Sequence, residues 1–525
     1  MAAPGPTYRI STLGCRVNHA ETREIEAILR HRGLTPAFGD PRSPVDLEIV
    51  HTCSVTNTAA AKSRAAIRRA ARRADQPDAA IFVTGCYAST DPTDAGAAAR
   101  REGGSGDQVA RVIVHHAGGS KDAGADGVAG RQAGTPMIER LAEQLDLWLA
   151  GRDREPDRAA ERSRRGPVRG PVQTSSAGDA SKAAATADVL PLPVIDPGDA
   201  PARHIRAELR IQDGCDAHCT FCVLPSIRPV LRSKPVADAL REARRLIDLG
   251  HKEIVLTGIF LGAYGHETAL RRRQVNAGAE ALADLVTALA DVEGLERLRL
   301  SSMEPGDVTP ALLDAMVAGG PVVVPHLHLP LQSGSNAVLR RMNRQYRVGA
   351  YLEMIDMASA ALTDPLGLPP AITTDIICGF PGETEADFDQ TVAIAERVGF
   401  LHMHVFPFSP KRGTAAARWA SDFVPTATAR ERVRRLIDLE SDADDGYAIR
   451  YHRRLLGRTV RVIVEQPDRA SQGTDRMIGR CDHYVPISIS TSATRGTLTR
   501  VRVVAADATR VSGVVEPEPV SLSVL

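Results

Sequence analysis

The 525-residue chain has a formal charge of +1, 25% charged residues and only eight cysteines. The near-neutral balance gives no overall pull toward nucleic acid, so any basic surface must be local. Cysteine is too sparse for a disulfide scaffold and fits a reducing compartment. The length suits about two to four domains with separate cores. The start "MAAPGPTYRISTLGC" has no signal-peptide pattern, and no apolar run reaches about 18 residues. A soluble, cytoplasmic protein with no membrane contact is expected.

The first element ends "YRISTLGC" at Cys15, the next "LEIVHTC" at Cys53 and a third "AAIFVTGC" at Cys86. Each cysteine follows an apolar, β-branched run, and the first two precede helical runs. If the runs are parallel strands of one sheet, the three thiols meet at its carboxyl edge. Helix N-termini there add partial positive charge, which favours thiolates. The competing reading is three buried structural cysteines. The helix "AAAKSRAAIRRAARRA" carries Lys62, Arg64, Arg68, Arg69, Arg72 and Arg73, either for an RNA backbone or as a solvated face. After about residue 88 a low-complexity insertion begins, broken by the strand-like "VARVIVHH" and the amphipathic helix "TPMIERLAEQLDLWLAG". Residues 151–170 hold seven Arg against four acids, and a disordered linker is expected over about 151–200.

Residues of about 201–440 alternate strands and helices. Strand candidates are "IRAELRIQ", "EIVLTGI", "RLRLSSM", "HLHLPLQ", "ITTDIICGF" and "HMHVFPFS". Helical runs such as "VADALREARRLIDLG", "ALADLVTALADV" and "TEADFDQTVAIAERVG" separate them, which implies a parallel α/β sheet. Polar and His residues gather near the strand ends, where ligands collect in such folds. One helix, "TARERVRRLIDLESDADDGYAIRYHRRLLG", then leads to short alternating strands over about 453–520. These suggest a small antiparallel β-barrel. Residues 452–525 hold eleven Arg, no Lys and seven acids, a balance suited to RNA.

The stretch "IQDGCDAHCTFCVLPSIRP" concentrates Cys215, Cys219 and Cys222 in one loop directly after the first of these strands. Three is odd, so a disulfide reading leaves one thiol over. Close spacing suits thiolates converging on one soft metal centre. Three thiolates satisfy three irons of a four-iron cluster and leave one iron open to a small molecule. Zinc is the alternative, with His218 as fourth ligand, but its adjacency to Cys219 is sterically awkward. Cys378 and Cys481 read as structural thiols.

The C-x3-C-x2-C loop, with Phe221 before its third cysteine, resembles the radical S-adenosylmethionine (SAM) superfamily. "LTGIFLGAYG", "SSMEP", "LHLPLQSGS" and "DIICGFPGET" resemble its methylthiotransferase branch, and only the 89–200 insertion falls outside the likeness. The resemblance implies an α/β multidomain protein. An N-terminal parallel-sheet domain would span about 5–150, a partial (β/α)6 radical SAM barrel about 201–440 and a TRAM-like RNA-binding barrel about 453–520. It implies SAM and two 4Fe-4S clusters, one on Cys215, Cys219 and Cys222, the other on Cys15, Cys53 and Cys86. Phe221, Thr257, Gly258, Ser302, Glu304, Gln332, Gly379 and Gly382 would neighbour SAM; Phe260 stands where relatives often have a polar residue. The implied substrate is a tRNA anticodon stem-loop, and an electron donor and a sulfur source are needed. "TLGCRVNHAET" resembles the subgroup that methylthiolates N6-threonylcarbamoyladenosine (t6A) at C2. The isopentenyladenosine subgroup tends to "FGCQMN" and the ribosomal-protein subgroup to "LGCPKN". The rival of another class is a non-catalytic zinc-containing RNA-binding protein.

Overall fold

The computed structural model describes residues 5–37, 43–74, 79–99, 109–113, 137–153, 190–191, 205–270, 280–468, 476–490, 492–507 and 510–516. Most of the expected insertion and linker lies outside the described residues. The chain divides into two compact units. One comprises Met1–Leu13, Ile28–Val55 and Ala59–Leu190; the other comprises Gly14–Ala27, Thr56–Thr58 and Pro191–Leu525.

The first unit is built on strands β1 (Thr7–Thr12), β2 (Thr35–Pro36), β3 (Leu47–Thr52), β4 (Ala80–Gly85) and β5 (Val109–Ile113). They form one sheet in the order β2-β1-β3-β4-β5, parallel throughout. Every residue of β3 and β4 is buried, as near-continuous apolar runs require when both faces of a parallel strand are covered. Helix Asn57–Arg73 buries Ser63, Ala66, Ile67, Ala70 and Ala71, a stripe at helical spacing. Its Lys62, Arg68, Arg69 and Arg72 are exposed, while Arg73 pairs with buried Glu48 at 2.8 Å. "VARVI" of the insertion is β5, and helix Met137–Asp153 is the expected amphipathic one. β6 (Leu190–Pro191) marks the change of unit.

In the second unit β7 (Arg206–Asp213), β8 (Arg232–Ser233), β9 (Glu253–Gly258) and β10 (Arg297–Leu300) share a sheet in which β7, β9 and β10 run parallel. β11 (His326–His328), β12 (Ala371–Cys378) and β13 (His402–Pro407) form a second parallel set. A single parallel bridge, Leu298 to Val323, joins β10 to the approach of β11. Crossover helices such as Val236–Asp248, Ala281–Ala290 and Glu385–Val398 follow the strands. The last shows why the sequence starts and stops where it does. Thr384 and Asp387 form a capping box, and Gly399 closes the helix at φ 62°.

One expectation fails. The long helix after the strands is two, Thr426–Ser441 and Tyr447–Arg454. The Asp442 carboxylate accepts the N–H groups of Asp444 and Asp445 at 3.0 and 2.9 Å, a local turn that outcompetes the helical ladder. Beyond it β14 (Thr459–Pro467), β15 (Arg476–Cys481), β16 (Pro486–Ser490), β17 (Leu498–Ala506) and β18 (Val511–Val515) close into a barrel, β14-β15-β16-β18-β17. Its pairings are antiparallel except β16 with β18, which is parallel. Cys378 and Cys481 lie buried in apolar cores. Among the described residues no helix is long and apolar enough to cross a membrane.

A buried charge cluster joins this barrel to the parallel strands. Glu253 pairs with Arg299 at 2.9 Å and Arg297 at 3.2 Å. Arg297 also pairs with Asp482 at 2.7 Å and donates to the carbonyls of Arg480 and Arg461 at 3.1 and 3.2 Å. Burial alone would raise the Glu253 carboxyl, but Arg299, Arg297 and Arg206 hold it down at about 2. Its stabilising contribution is therefore complete above its ordinary value of 4.5 and is lost as pH falls from there toward 2. Glu253→Gln should cost about 3–5 kcal/mol, because it leaves the Arg299 guanidinium buried without a carboxylate and Arg297 with Asp482 alone. Thermal unfolding across acid pH checks both points: the variant should be destabilised at neutral pH, and the gap should narrow as the pH drops. A constant gap would contradict the assignment.

Candidate cluster and cofactor site

β7 delivers the chain to Gly214, whose φ of 85° starts the cysteine loop. Cys215 is buried; Cys219 and Cys222 are half-buried, and none of the eight cysteines is disulfide-bonded. Backbone amides stabilise two of the sulfurs: Ala217 N–H donates to Cys215 Sγ and Leu224 N–H to Cys222 Sγ, each at 3.4 Å. His218, at φ 51°, turns the loop so that its carbonyl accepts from Asn343 Nδ2 at 3.1 Å. Thr220 N–H reaches the Met342 carbonyl at 3.0 Å, and Ala416 N–H reaches the Thr220 carbonyl at 2.9 Å. The loop is thus held by two neighbouring segments, Met342–Asn343 and Ala416, that bond to its backbone groups.

Arg344 is the cation of the site. Its Nη1 donates to Cys219 Sγ at 3.2 Å and its Nη2 pairs with Glu304 at 2.8 Å. Burial would lower its guanidinium, but Tyr346, Cys219 and Glu304 raise it well above its usual value. Burial pushes the Cys222 thiol up to about 12, with Cys219 adding to the effect, and pushes Cys215 up as well. Three crowded thiols in such a place become thiolates together only with positive charge beside them. Iron supplies it, so the donor set fits a sulfur-ligated iron cluster.

Buried Gln212 positions the loop from below. Its Nε2 donates to the carbonyls of Asp213 and Gly214 at 2.9 and 2.8 Å, and its Oε1 accepts the Phe260 N–H at 2.8 Å. One amide therefore ties the ligand loop to the exit of β9. Gly258 is required there, because a Cβ would lie 2.9 Å from Gln212.

The Gly14–Ala27 segment, which carries exposed Cys15, belongs to this unit. Glu21 pairs with Arg228 at 2.9 Å and Glu24 with Arg210 at 2.5 Å, and Asp213 bridges both arginines at 2.6 and 3.2 Å. In the first unit Cys53 and Cys86 are buried directly after Thr52 and Gly85, which are register partners of β3 and β4. The Cys53 N–H donates to Ser63 Oγ at 3.0 Å.

The profile "Radical SAM superfamily" matches residues 209–395, and "Uncharacterized protein family UPF0004" matches 7–102. The chain is 33% identical over 483 residues, 92% of this chain and 90% of the other, to the threonylcarbamoyladenosine tRNA methylthiotransferase MtaB of Bacillus subtilis (strain 168). It belongs to the radical SAM methylthiotransferase family. A tRNA-2-methylthio-N(6)-dimethylallyladenosine synthase of Acidothermus cellulolyticus is 31% identical, covering 91% of this chain and 82% of its own. Among solved structures, a radical SAM methyltransferase, TsrM, from Kitasatospora setae shares the fold at a TM-score of 0.50, with 14% identity over 79% of this chain and 75% of that one.

The cofactors of this methylthiotransferase are SAM and 4Fe-4S clusters. The structure distributes the expected SAM neighbours unevenly. Glu304 meets the cysteine loop through Arg344, and Gly258 meets it through Gln212. Phe221 packs edge-on to Phe380, ring centres 6.3 Å apart. Gly379 has φ 73° and Gly382 φ 79°, and a Cβ on either would strike Ala429 or Arg341, so both shape the turn. Thr257 is buried in β9, and Ser302 is exposed. Gln332, at φ 62°, bonds through its backbone to Asp375 and Ile377 on β12. Arg344 and Gln212 carried no signal in the sequence: one is an arginine among several in "RRMNRQYR", the other a polar residue ending a strand.

Gln212→Ala would strand one amide and two carbonyls, at a cost of about 1–3 kcal/mol. The expected outcome is a folded protein that retains less iron after anaerobic reconstitution. Iron content and circular dichroism measure this; wild-type iron in the variant would show that Gln212 does not position the loop.

Proposed function

We propose that this methylthiotransferase adds a methylthio group to C2 of N6-threonylcarbamoyladenosine beside a tRNA anticodon, using two 4Fe-4S clusters. The observation that carries the substrate is the Bacillus subtilis relative, named for that reaction and matched along nearly the full length of both chains. The segment "TLGCRVNHAET" points the same way. The dimethylallyladenosine synthase matched at similar identity supports tRNA as the substrate class.

When bound, SAM on a reduced cluster supplies radical chemistry that can break an aromatic C–H bond beyond the reach of acid or base at neutral pH. The chain's own work is to hold and orient. Cys215, Cys219 and Cys222 would hold the SAM-binding cluster, with Arg344 balancing its negative sulfurs and fixed in turn by Glu304. Gln212 keeps the loop in register with the exit of β9, where Thr257 and Gly258 lie. Cys15, Cys53 and Cys86, each following one of the adjacent parallel strands β1, β3 and β4, would hold the second cluster and receive the sulfur to be transferred. The closed barrel, with Arg500 and Arg502 exposed on β17, would contact the RNA backbone. An electron donor and a sulfur source complete the requirements.

The two triads have separate tasks, and this is testable. In Cys53→Ala the Cys215 loop keeps all its ligands, so SAM should still be cleaved to 5′-deoxyadenosine. Iron should fall by about half, since one site loses a ligand and the other does not. Mass analysis of the tRNA should show no methylthio product. Methylthiolated tRNA from this variant would make Cys53 structural, and loss of all iron would mean that the two sites are not independent.

A further inference from the structure

A second polar constellation in the larger unit stands apart from the cysteine loop. On β12, Ile372, Ile376 and Cys378 face the apolar core, so Thr373 and Asp375 share the opposite face. Their register partners continue that face: His328 lies opposite Thr373, and His404 opposite Asp375. His328 Nε2 is 3.2 Å from Asp375, and its Nδ1 is 2.9 Å from Thr373 Oγ1. The His404 ring lies 5.7 Å from that of His328. His326, two residues before His328, stacks at 4.7 Å on Tyr484 from the turn after β15. Imidazoles, a carboxylate and a phenol thus follow one another along a partly buried polar face.

Tyr484 carries an excess of cations. Four guanidiniums lie over its ring: Arg480 at 4.8 Å, Arg299 at 4.9 Å, Arg16 at 5.8 Å and Arg206 at 5.9 Å. Two have carboxylates: Arg299 has Glu253 at 2.9 Å and Arg206 has Glu465 at 2.8 Å. Arg16 and Arg480 have none within ion-pair distance among the described residues. Arg16 donates to the Tyr484 hydroxyl at 3.2 Å, and the buried Nε of Arg480 has no hydrogen-bond partner. Both side chains are half-buried. Like charges brought together in this way repel unless an anion joins them. An anionic ligand placed against them would relieve that repulsion.

We propose that Arg16 and Arg480 at Tyr484, together with Asp375 and His404 on the polar face of β12 and β13, recognise the N6 substituent of the substrate base. This rests on the t6A reading above. A threonylcarbamoyl group ends in a carboxylate and reaches it through a urea. The guanidiniums match the carboxylate, and Asp375 accepts a urea N–H. An isopentenyl group offers neither feature. RNA phosphate is the other available anion, but Asp375 and the half-buried setting favour a substituent that brings its own N–H donors with its negative charge. The same pairing separates substrates, because a buried charge left unmatched costs more than a lost contact.

The test uses the full chain and three anticodon stem-loops that differ only at the target adenosine. One carries threonylcarbamoyl, one its threonine-amide counterpart without the carboxylate, and one isopentenyl. Affinity is read by fluorescence anisotropy without reductant, so catalysis is not required. The wild type should bind the carboxylate form about tenfold or more tighter than the amide, as a charge-assisted bidentate contact warrants. Arg480→Gln should lose most of that difference while binding the amide form within about twofold of wild type. Arg16→Gln is the second variant, expected to act in the same direction, should Arg480→Gln fail to fold. Equal weakening toward all three RNAs would place these arginines on phosphate and overturn the proposal, as would unchanged discrimination. Product analysis with wild type reads the substrate assignment separately: methylthiolation of the isopentenyl form alone would overturn that reading, whatever the binding ratio.

Discussion

Within eight residues, Cys215 to Cys222, one loop has to offer three thiolates to a single centre. A strand would point the sulfurs to opposite faces, and a helix would keep them on one face but spread them over about 10 Å of its axis. The chain resolves it with an irregular turn. A glycine at positive φ enters it, His218 bends it, and neighbouring segments capture its backbone groups. The thiols are costly to ionise in place, and Arg344 is aimed at Cys219. Much of the surrounding unit serves this loop: the Gln212 bracket below, the Arg344–Glu304 pair at the side, and the Glu21, Arg228, Asp213, Arg210 and Glu24 network that ties the Cys15 segment to the end of β7.

Much of this was legible in the sequence. Cysteine spacing is discrete, and few folds need three cysteines so close together. Strand runs such as "EIVLTGI" and "AAIFVTGC" are distinct because parallel strands covered on both faces must be apolar nearly throughout. Other features resist such reading because they depend on a neighbour far away in the chain. "RLRL" looks like a strand with one solvated face, yet Arg297 and Arg299 are buried, since Glu253 on the adjacent strand and the carbonyls of the terminal barrel receive them. Gln212 and Arg344 are ordinary until the loop they hold is in view. The break at Asp442 was missed because helical periodicity continues across it, while a carboxylate turn of a few residues decides the outcome.

The terminal barrel is more than an appended module. It supplies Tyr484 to the inner face of the parallel strands and Asp482 to Arg297. RNA contact and base recognition would then share one rigid element, so that docking the stem-loop also completes the surface that meets the modified base. On that proposal the polar lining would have a further use, because hydrogen-bond donors and acceptors can discriminate between N6 substituents more sharply than an apolar pocket.

Isotope transfer tests the central claim most directly. Anticodon stem-loops bearing threonylcarbamoyladenosine with deuterium at C2 are turned over anaerobically with SAM and reductant, and the 5′-deoxyadenosine is analysed by mass. The expected result is deuterium in 5′-deoxyadenosine, matched by methylthio product that has lost it. Methylthio product formed while 5′-deoxyadenosine stays unlabelled would contradict hydrogen abstraction from that carbon, and with it the role assigned to the Cys215 loop.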